Sequence, residues 1–233
     1  GKVLLISTGY YSDRLKVLLP KSCQVTICKY EEIDTVRENF DWVLCAYTET
    51  SIAFKVDLEM IKFKSIELGA KLYVDATGSI GLEDGHVVAD VMAFSSCKGL
   101  FGLTGACFVA YKGDLKPHAT GNFYFNLETQ INKMVTSPYH SIASLYGVMN
   151  NHDQYRKRVI QSKKEVLAKW PHLVRDKNQP LLCTYIEGEI HPNDNNIVLY
   201  SPRSELTGSV ICHFGEIHYD QVELCNRISI IEN

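Results

Sequence analysis

Residues 71–112 read KLYVDATGSIGLEDGHVVADVMAFSSCKGLFGLTGACFVAYK. Three apolar runs stand out: KLYVDA (71–76), VMAFSS (91–96) and ACFVAY (106–111). Each is continuous rather than alternating, the pattern of a strand covered on both faces. The first run closes on Asp75, and the second leads into Ser95, Ser96, Cys97 and Lys98. The glycines that follow make no Walker loop, because no Gly-Lys-Ser/Thr comes after them. Gly99, Gly102 and Gly105 instead predict a tight turn into 106–111.

Upstream, VLLIS (3–7), QVTIC (24–28) and WVLCAY (42–47) are further strands of the same kind. Helices are expected at 13–19 and 57–69, with a short piece near Gly81. Asp57 caps the second helix and Gly69 stops it. In that helix Leu58, Ile61, Ile66 and Leu68 follow an apolar stripe only loosely. Strand–helix alternation argues for an α/β layer with a mostly parallel sheet. Past Pro138 the pattern changes. Helices are expected at 139–150 and 153–170, the latter stopped by Pro171. LLCTYI (181–186), NIVLYS (196–201) and VICHF (210–214) read as strands, and 220–231 as a closing helix. The expected organisation is a large α/β domain over 1–150 and a smaller α+β domain over 151–233.

The whole chain has 233 residues, 45% hydrophobic and 22% charged, with a net charge of −3. That composition excludes a disordered, collagenous or coiled-coil protein. The near-neutral balance offers no electrostatic reason for binding nucleic acid. The longest apolar runs are too short to span a bilayer. The opening residues do not read as a secretory leader, so a cytoplasmic location is expected. None of the eight cysteines forms a CxxC pair, which favours buried thiols over disulfides or a zinc ribbon. The histidines show no HxxxH or HExxH spacing, and no metal site is expected.

In an open parallel sheet, ligands gather at the carboxyl ends of the strands. Asp75 and Lys98 sit at two such ends. A buried carboxylate wants a cationic or proton-donating partner, and a lysine beside it can carry a Schiff base. Pyridoxal phosphate demands that pair: the lysine holds its carbonyl carbon, and the carboxylate keeps its pyridine nitrogen protonated.

YTETSIA, LYVDATGSIG, SSCKGLFGLTGACFVAYK and VTSPYH, in this order, resemble the class V pyridoxal-phosphate aminotransferases of fold type I. The similarity is greatest to the 2-aminoethylphosphonate–pyruvate transaminases, and a weaker match returns at FGEIHYDQVELCNRISII. The resemblance implies that Lys98 is the Schiff-base lysine and proton shuttle, and that Asp75 is the pyridinium partner. Tyr11 falls where a ring stacks on the cofactor, Thr50 near its phenolic oxygen and Ser96 in the phosphate region. Thr136 matches a threonine that reaches the neighbouring subunit's phosphate, which implies a homodimer with shared active sites. The implied substrates are a small amine like 2-aminoethylphosphonate and a keto acid such as pyruvate.

The chain also departs from that family. The family carries a phosphate-cradling segment ahead of the position of Lys2. Its substrate-carboxylate arginine is replaced by Val210, with Arg203 nearby, and a second arginine by Met134. Cys97 stands where an Asn or Gln often precedes the lysine, and Tyr47 replaces a histidine. These departures keep open a second reading, a degenerate member acting as a non-catalytic binding or assembly subunit. A cysteine desulfurase is disfavoured, since that group usually places His directly before the lysine. Ordinary structural roles compete at single positions. Thr50 and Thr136 suit turns and caps, Asp75 a helix cap, His140 a structural group and Arg156-Lys157-Arg158 a solvated helix face.

Overall fold

The computed structural model describes residues 1–113, 123, 126–133, 135–174, 176, 178–193, 203, 207–214 and 226–232. Strands β1 (Lys2–Ser7), β2 (Gln24–Lys29), β3 (Trp42–Ala46), β6 (Lys71–Asp75), β7 (Val91–Ser95) and β8 (Cys107–Tyr111) form one sheet. Between β3 and β6 lie two short strands, β4 (Thr48–Glu49) and β5 (Phe54–Lys55), paired with each other. The large sheet runs β2-β1-β3-β6-β7-β8. All neighbours are parallel except β7 and β8. The parallel strands therefore share a carboxyl edge, where Ser7, Ala46, Asp75 and Ser95 end them. The fold is a mixed α/β fold with a mainly parallel central sheet.

Both faces of the sheet's middle are covered, as the continuous apolar runs require. Helix α1 (Tyr10–Leu18) brings Leu15, with Leu19 just beyond it, onto Val3, Leu5 and Leu44. Helix α2 (Leu58–Glu67) packs Leu58 and Ile61, with Leu68 after it, beside Leu4, Ile6, Val43, Cys45, Leu72 and Val74. Its stripe is loose because Phe63 and Ile66 point outward, 73% and 64% exposed. Asp57 caps this helix, accepting from the Met60 N–H at 3.0 Å, and Gly69 ends it at φ 68°. Near Gly81 there is no helix. Turn bonds to the carbonyls of Ala76 and Ser79 fold residues 76–83 instead, and Gly81 within them adopts φ 78°.

Helices α3 (Leu127–Asn132), α4 (Tyr139–Met149) and α5 (His152–Lys169) follow. A second core gathers Val166, Trp170, Leu173, Val174, Ile186, Ile211 and Ile228. It lies among α5, β9 (Cys183–Ile186), β10 (Gly188–Pro192), β11 (Ser209–Cys212) and β12 (Ile228–Glu232). The strand expected at 196–201 lies outside the described residues. The expected closing helix at 220–231 is corrected over its last residues: Ile228–Glu232 is a strand, antiparallel to β10. Three isoleucines within four residues suit a pleated surface. Gly188 leaves room for Ile230, whose Cγ2 would be 2.3 Å from a Cβ there.

His213 lies fully buried in this region, its Nδ1 3.0 Å from Ser162 Oγ and its Nε2 2.8 Å from Thr184 Oγ1. Burial, with the Lys163 ammonium adding to it, pushes the imidazole down to about 3. The unfolded chain titrates near the ordinary value of 6.5, so between 6.5 and 3 it binds a proton that the native state refuses. This contribution is complete above pH 6.5 and is lost as pH falls, by about 1.4 kcal/mol per unit. Urea unfolding at pH 7 and pH 5 is expected to show about 2 kcal/mol of such loss, beyond that of a His213→Gln variant. Equal slopes for the two proteins would refute it.

Candidate active site

Glu49 is fully buried at the end of β4. Its carboxylate accepts from the backbone N–H groups of Tyr11 and Ser12, each at 3.0 Å, and from Ser51 Oγ. An anion at a helix N-terminus satisfies orphan donors and meets the positive end of the dipole. Gly9, at φ 152°, passes so close that a Cβ would lie 3.0 Å from Glu49 Cγ. Ser12 Oγ accepts from the Thr8 and Gly9 N–H groups and closes the turn. These contacts fix the start of α1 and hold Tyr11 at the sheet's carboxyl edge.

Lys98 opens a one-turn 3₁₀ segment, Lys98–Leu100, just past β7. It has φ 54°, and Phe101 at the far end of the turn has φ 60°. Such left-handed non-glycine residues are held only by their surroundings and concentrate at functional sites. The Lys98 Nζ stands 5.3 Å from the centroid of the Tyr11 ring, a cation–π distance. Cys97 Sγ lies 3.2 Å from Ser95 Oγ.

Asp75 ends β6, beside Ala46 of β3 and Ala93 of β7. Its Oδ1 accepts from the Thr77 N–H at 2.9 Å, and among the described residues it makes no ion pair. Burial first and the Asp75 charge second push up the Cys45 and Cys107 thiols, and Tyr73 to about 12. Among the described residues the Asp75 carboxylate thus has two thiols and a phenol within electrostatic reach and no cationic partner. Two buried hydroxyls on the same edge, Thr8 Oγ1 and Thr48 Oγ1, likewise have no hydrogen-bond partner among the described residues. Thr50 reaches the loop after Asp75, with its Cγ2 3.1 Å from where a Cβ on Gly78 would stand. A half-buried carboxylate without a cation, a strained lysine and an aromatic ring on one edge are a donor set that fits a protonated heteroaromatic aldehyde.

The other expected residues divide. Ser96 is fully buried, and its hydroxyl donates to the Leu103 carbonyl while accepting from the Ala106 N–H. It is engaged within the glycine-rich turn rather than open to a phosphate. Thr136 is exposed ahead of α4, and no hydrogen bond links it to Lys98, Asp75 or Tyr11. Met134 lies outside the described residues. Val210 pairs with Tyr185 across β11 and β9 and packs in an apolar cluster with Cys183 and Leu182. Arg203, by contrast, comes to the site: its guanidinium carbon stands 5.4 Å from the Tyr10 ring and 5.9 Å from the Tyr11 ring. Its Nη1 lies 3.4 Å from Tyr11 Oη. Glu49 was missed as a site-building residue. Its signal in the sequence is a carboxylate in TETS at the end of an apolar strand, but its partners lie 37 and 38 residues away.

No protein-family model matches the sequence, and no curated protein matches it. Solved structures do match in shape. The alanine–glyoxylate aminotransferase from Nostoc sp. superposes with a TM-score of 0.66 at 16% identity, over 84% of this chain and 60% of that one. The pyridoxamine–pyruvate aminotransferase from Mesorhizobium loti gives 0.68 at 14% identity, over 89% and 66%. A phosphoserine aminotransferase from Cytophaga hutchinsonii gives 0.67 at 14% identity, over 93% and 74%. The chain thus spans about 60% of the length of the Nostoc protein. The sheet order, the helices on both its faces and these superpositions together give the chain the fold type I architecture of these aminotransferases.

Proposed function

We propose that this chain acts as a pyridoxal-phosphate-dependent aminotransferase, with Lys98 as the amine that holds the cofactor. The observation that carries the reading is the Lys98 Nζ over the Tyr11 ring, on the same sheet edge as an Asp75 that forms no ion pair among the described residues. When bound, pyridoxal phosphate supplies a carbonyl carbon for amines and an electron sink for the bond broken at the substrate Cα. In this reading Asp75 would hold the proton on the pyridine nitrogen, and Tyr11 would support the cofactor's ring. Thr50 contacts the cofactor's phenolic side, and Thr136 serves the neighbouring subunit's phosphate. Lys98 Nζ, as a free amine beside the substrate Cα, would take its proton as a base and return it as an acid.

Arg203 is the group proposed to receive the substrate's acid function, carboxylate or phosphonate. Its planar fork suits either, and Val210 suits neither. The finer substrates, a 2-aminoethylphosphonate-like donor and a pyruvate-like acceptor, rest on the motif resemblance. So does the homodimer, whereas the cytoplasmic location rests on the opening residues, which do not read as a secretory leader. One observation supports the homodimer. Tyr139, Ile142, Tyr146 and Met149 line one face of α4, and Tyr139 and Tyr146 are 74% and 83% exposed.

The test is the visible spectrum of the purified protein with pyridoxal 5′-phosphate, before and after borohydride, followed by peptide mapping. The expected result is a yellow band that borohydride fixes as a covalent label on Lys98. A folded protein with no band, or with its label elsewhere, would refute the reading and leave the non-catalytic subunit.

A further inference from the structure

We propose that His152, the first residue of α5, is a positioning residue that holds Lys98 in its left-handed conformation. This rests on the reading of Lys98 as the reactive amine and adds the part that aims it. His152 Nε2 lies 2.8 Å from the Gly99 carbonyl oxygen. A carbonyl only accepts, so this nitrogen carries the hydrogen. Within the turn, the Phe101 N–H donates to the Lys98 carbonyl at 2.8 Å and the Gly102 N–H to the Ser96 carbonyl at 3.0 Å. Among the described residues, His152 alone brings a side-chain hydrogen bond to residues 98–101 from another element.

The contact is tight enough to transmit position. A Cβ on Gly99 would stand 2.2 Å from the Ile80 carbonyl oxygen. One on Gly81 would stand 2.5 Å from the Gly99 oxygen and 2.8 Å from His152 Nε2. The Phe101 ring lies 5.2 Å from the His152 ring and 5.5 Å from that of Tyr155. One turn on, Arg156 donates to the Leu82 carbonyl through Nε at 3.2 Å and Nη2 at 2.9 Å. The first turns of α5 therefore grip two of the loops that leave the carboxyl edge, the one after Asp75 and the one carrying Lys98. Two left-handed non-glycine residues in one short turn relax when such a brace is removed. The amine then loses its place over the Tyr11 ring.

The experiment uses pyridoxal 5′-phosphate as probe on the intact chain. Lys98 Nζ attacks the aldehyde carbon, a C–N bond forms and the oxygen leaves as water. Borohydride then adds hydride to the C=N bond, and the secondary amine is mapped. The labelling rate at Lys98 is read against that at exposed Lys21, together with amide hydrogen exchange across 98–102. His152→Ala is expected to slow Lys98 labelling about fivefold, the weight of one neutral hydrogen bond, and to speed exchange of the turn. His152→Gln, which keeps an N–H donor, is expected to restore most of both. Unchanged labelling and exchange in His152→Ala, or no rescue by glutamine, would overturn the proposal. If wild-type Lys98 labels no faster than Lys21, the reactive-amine reading fails, and the exchange data still report whether His152 braces the turn.

Discussion

Lys98→Ala is expected to remove the borohydride-fixed pyridoxal label and all transaminase turnover. No other lysine ammonium approaches the Tyr11 ring among the described residues. The effect is chemical rather than electrostatic, and Lys98→Arg separates the two. Arginine keeps a cation over the ring, but its guanidinium stays protonated and forms no Schiff base, so the band is expected to vanish there too. Stability is expected to follow a different order. Lys98 sits at φ 54°, a conformation open to glycine and strained for any residue with a Cβ. Lys98→Gly is therefore expected to be about 1 kcal/mol more stable than Lys98→Ala. Thermal melts read this, and equal melting temperatures would show that the backbone is not strained there. Retained turnover in Lys98→Ala would remove the lysine from the mechanism.

Glu49→Ala is expected to be the most destabilising of the substitutions considered, at about 3 kcal/mol. Its carboxylate is fully buried and receives the Tyr11 and Ser12 N–H groups and the Ser51 hydroxyl. Truncation leaves those donors without acceptors inside the protein, which costs far more than losing an exposed bond. For a chain of this size that corresponds to a fall in melting temperature of about 10 °C. Glu49→Gln keeps the shape and one acceptor, but turns an N–H₂ group toward other donors, so an intermediate loss of about 1–2 kcal/mol is expected. Both variants are also expected to slow labelling of Lys98, because the start of α1 carries Tyr11. A glutamine variant as stable as the wild type would show that the charge at the helix start is not used.

Much of the architecture was legible locally. The six strands of the large sheet fall within a residue or two of the apolar runs at 3–7, 24–28, 42–47, 71–76, 91–96 and 106–111. Continuous burial leaves a compositional trace that needs no partner to be read. The Asp57 cap and the Gly69 stop were legible for the same reason, because each acts within one turn of its own helix. The start of α1 at Tyr10, ahead of the expected 13, was not. Its anchor is a carboxylate 38 residues downstream.

By itself, the sequence determined a mainly parallel α/β sheet and put an aspartate and a lysine at its carboxyl edge, because strand period and strand end are local properties. The tertiary structure alone decided which groups meet there. It brought Arg203 to Tyr11 across 192 positions and His152 to the Gly99 carbonyl across 53. It drew Ser96 inward to brace the turn, and it made Ile228–Glu232 a strand by giving it β10 to pair with. Each of these outcomes depends on a partner remote in the chain, and a β-rich or polar segment takes its role from the surface it finds rather than from its own residues.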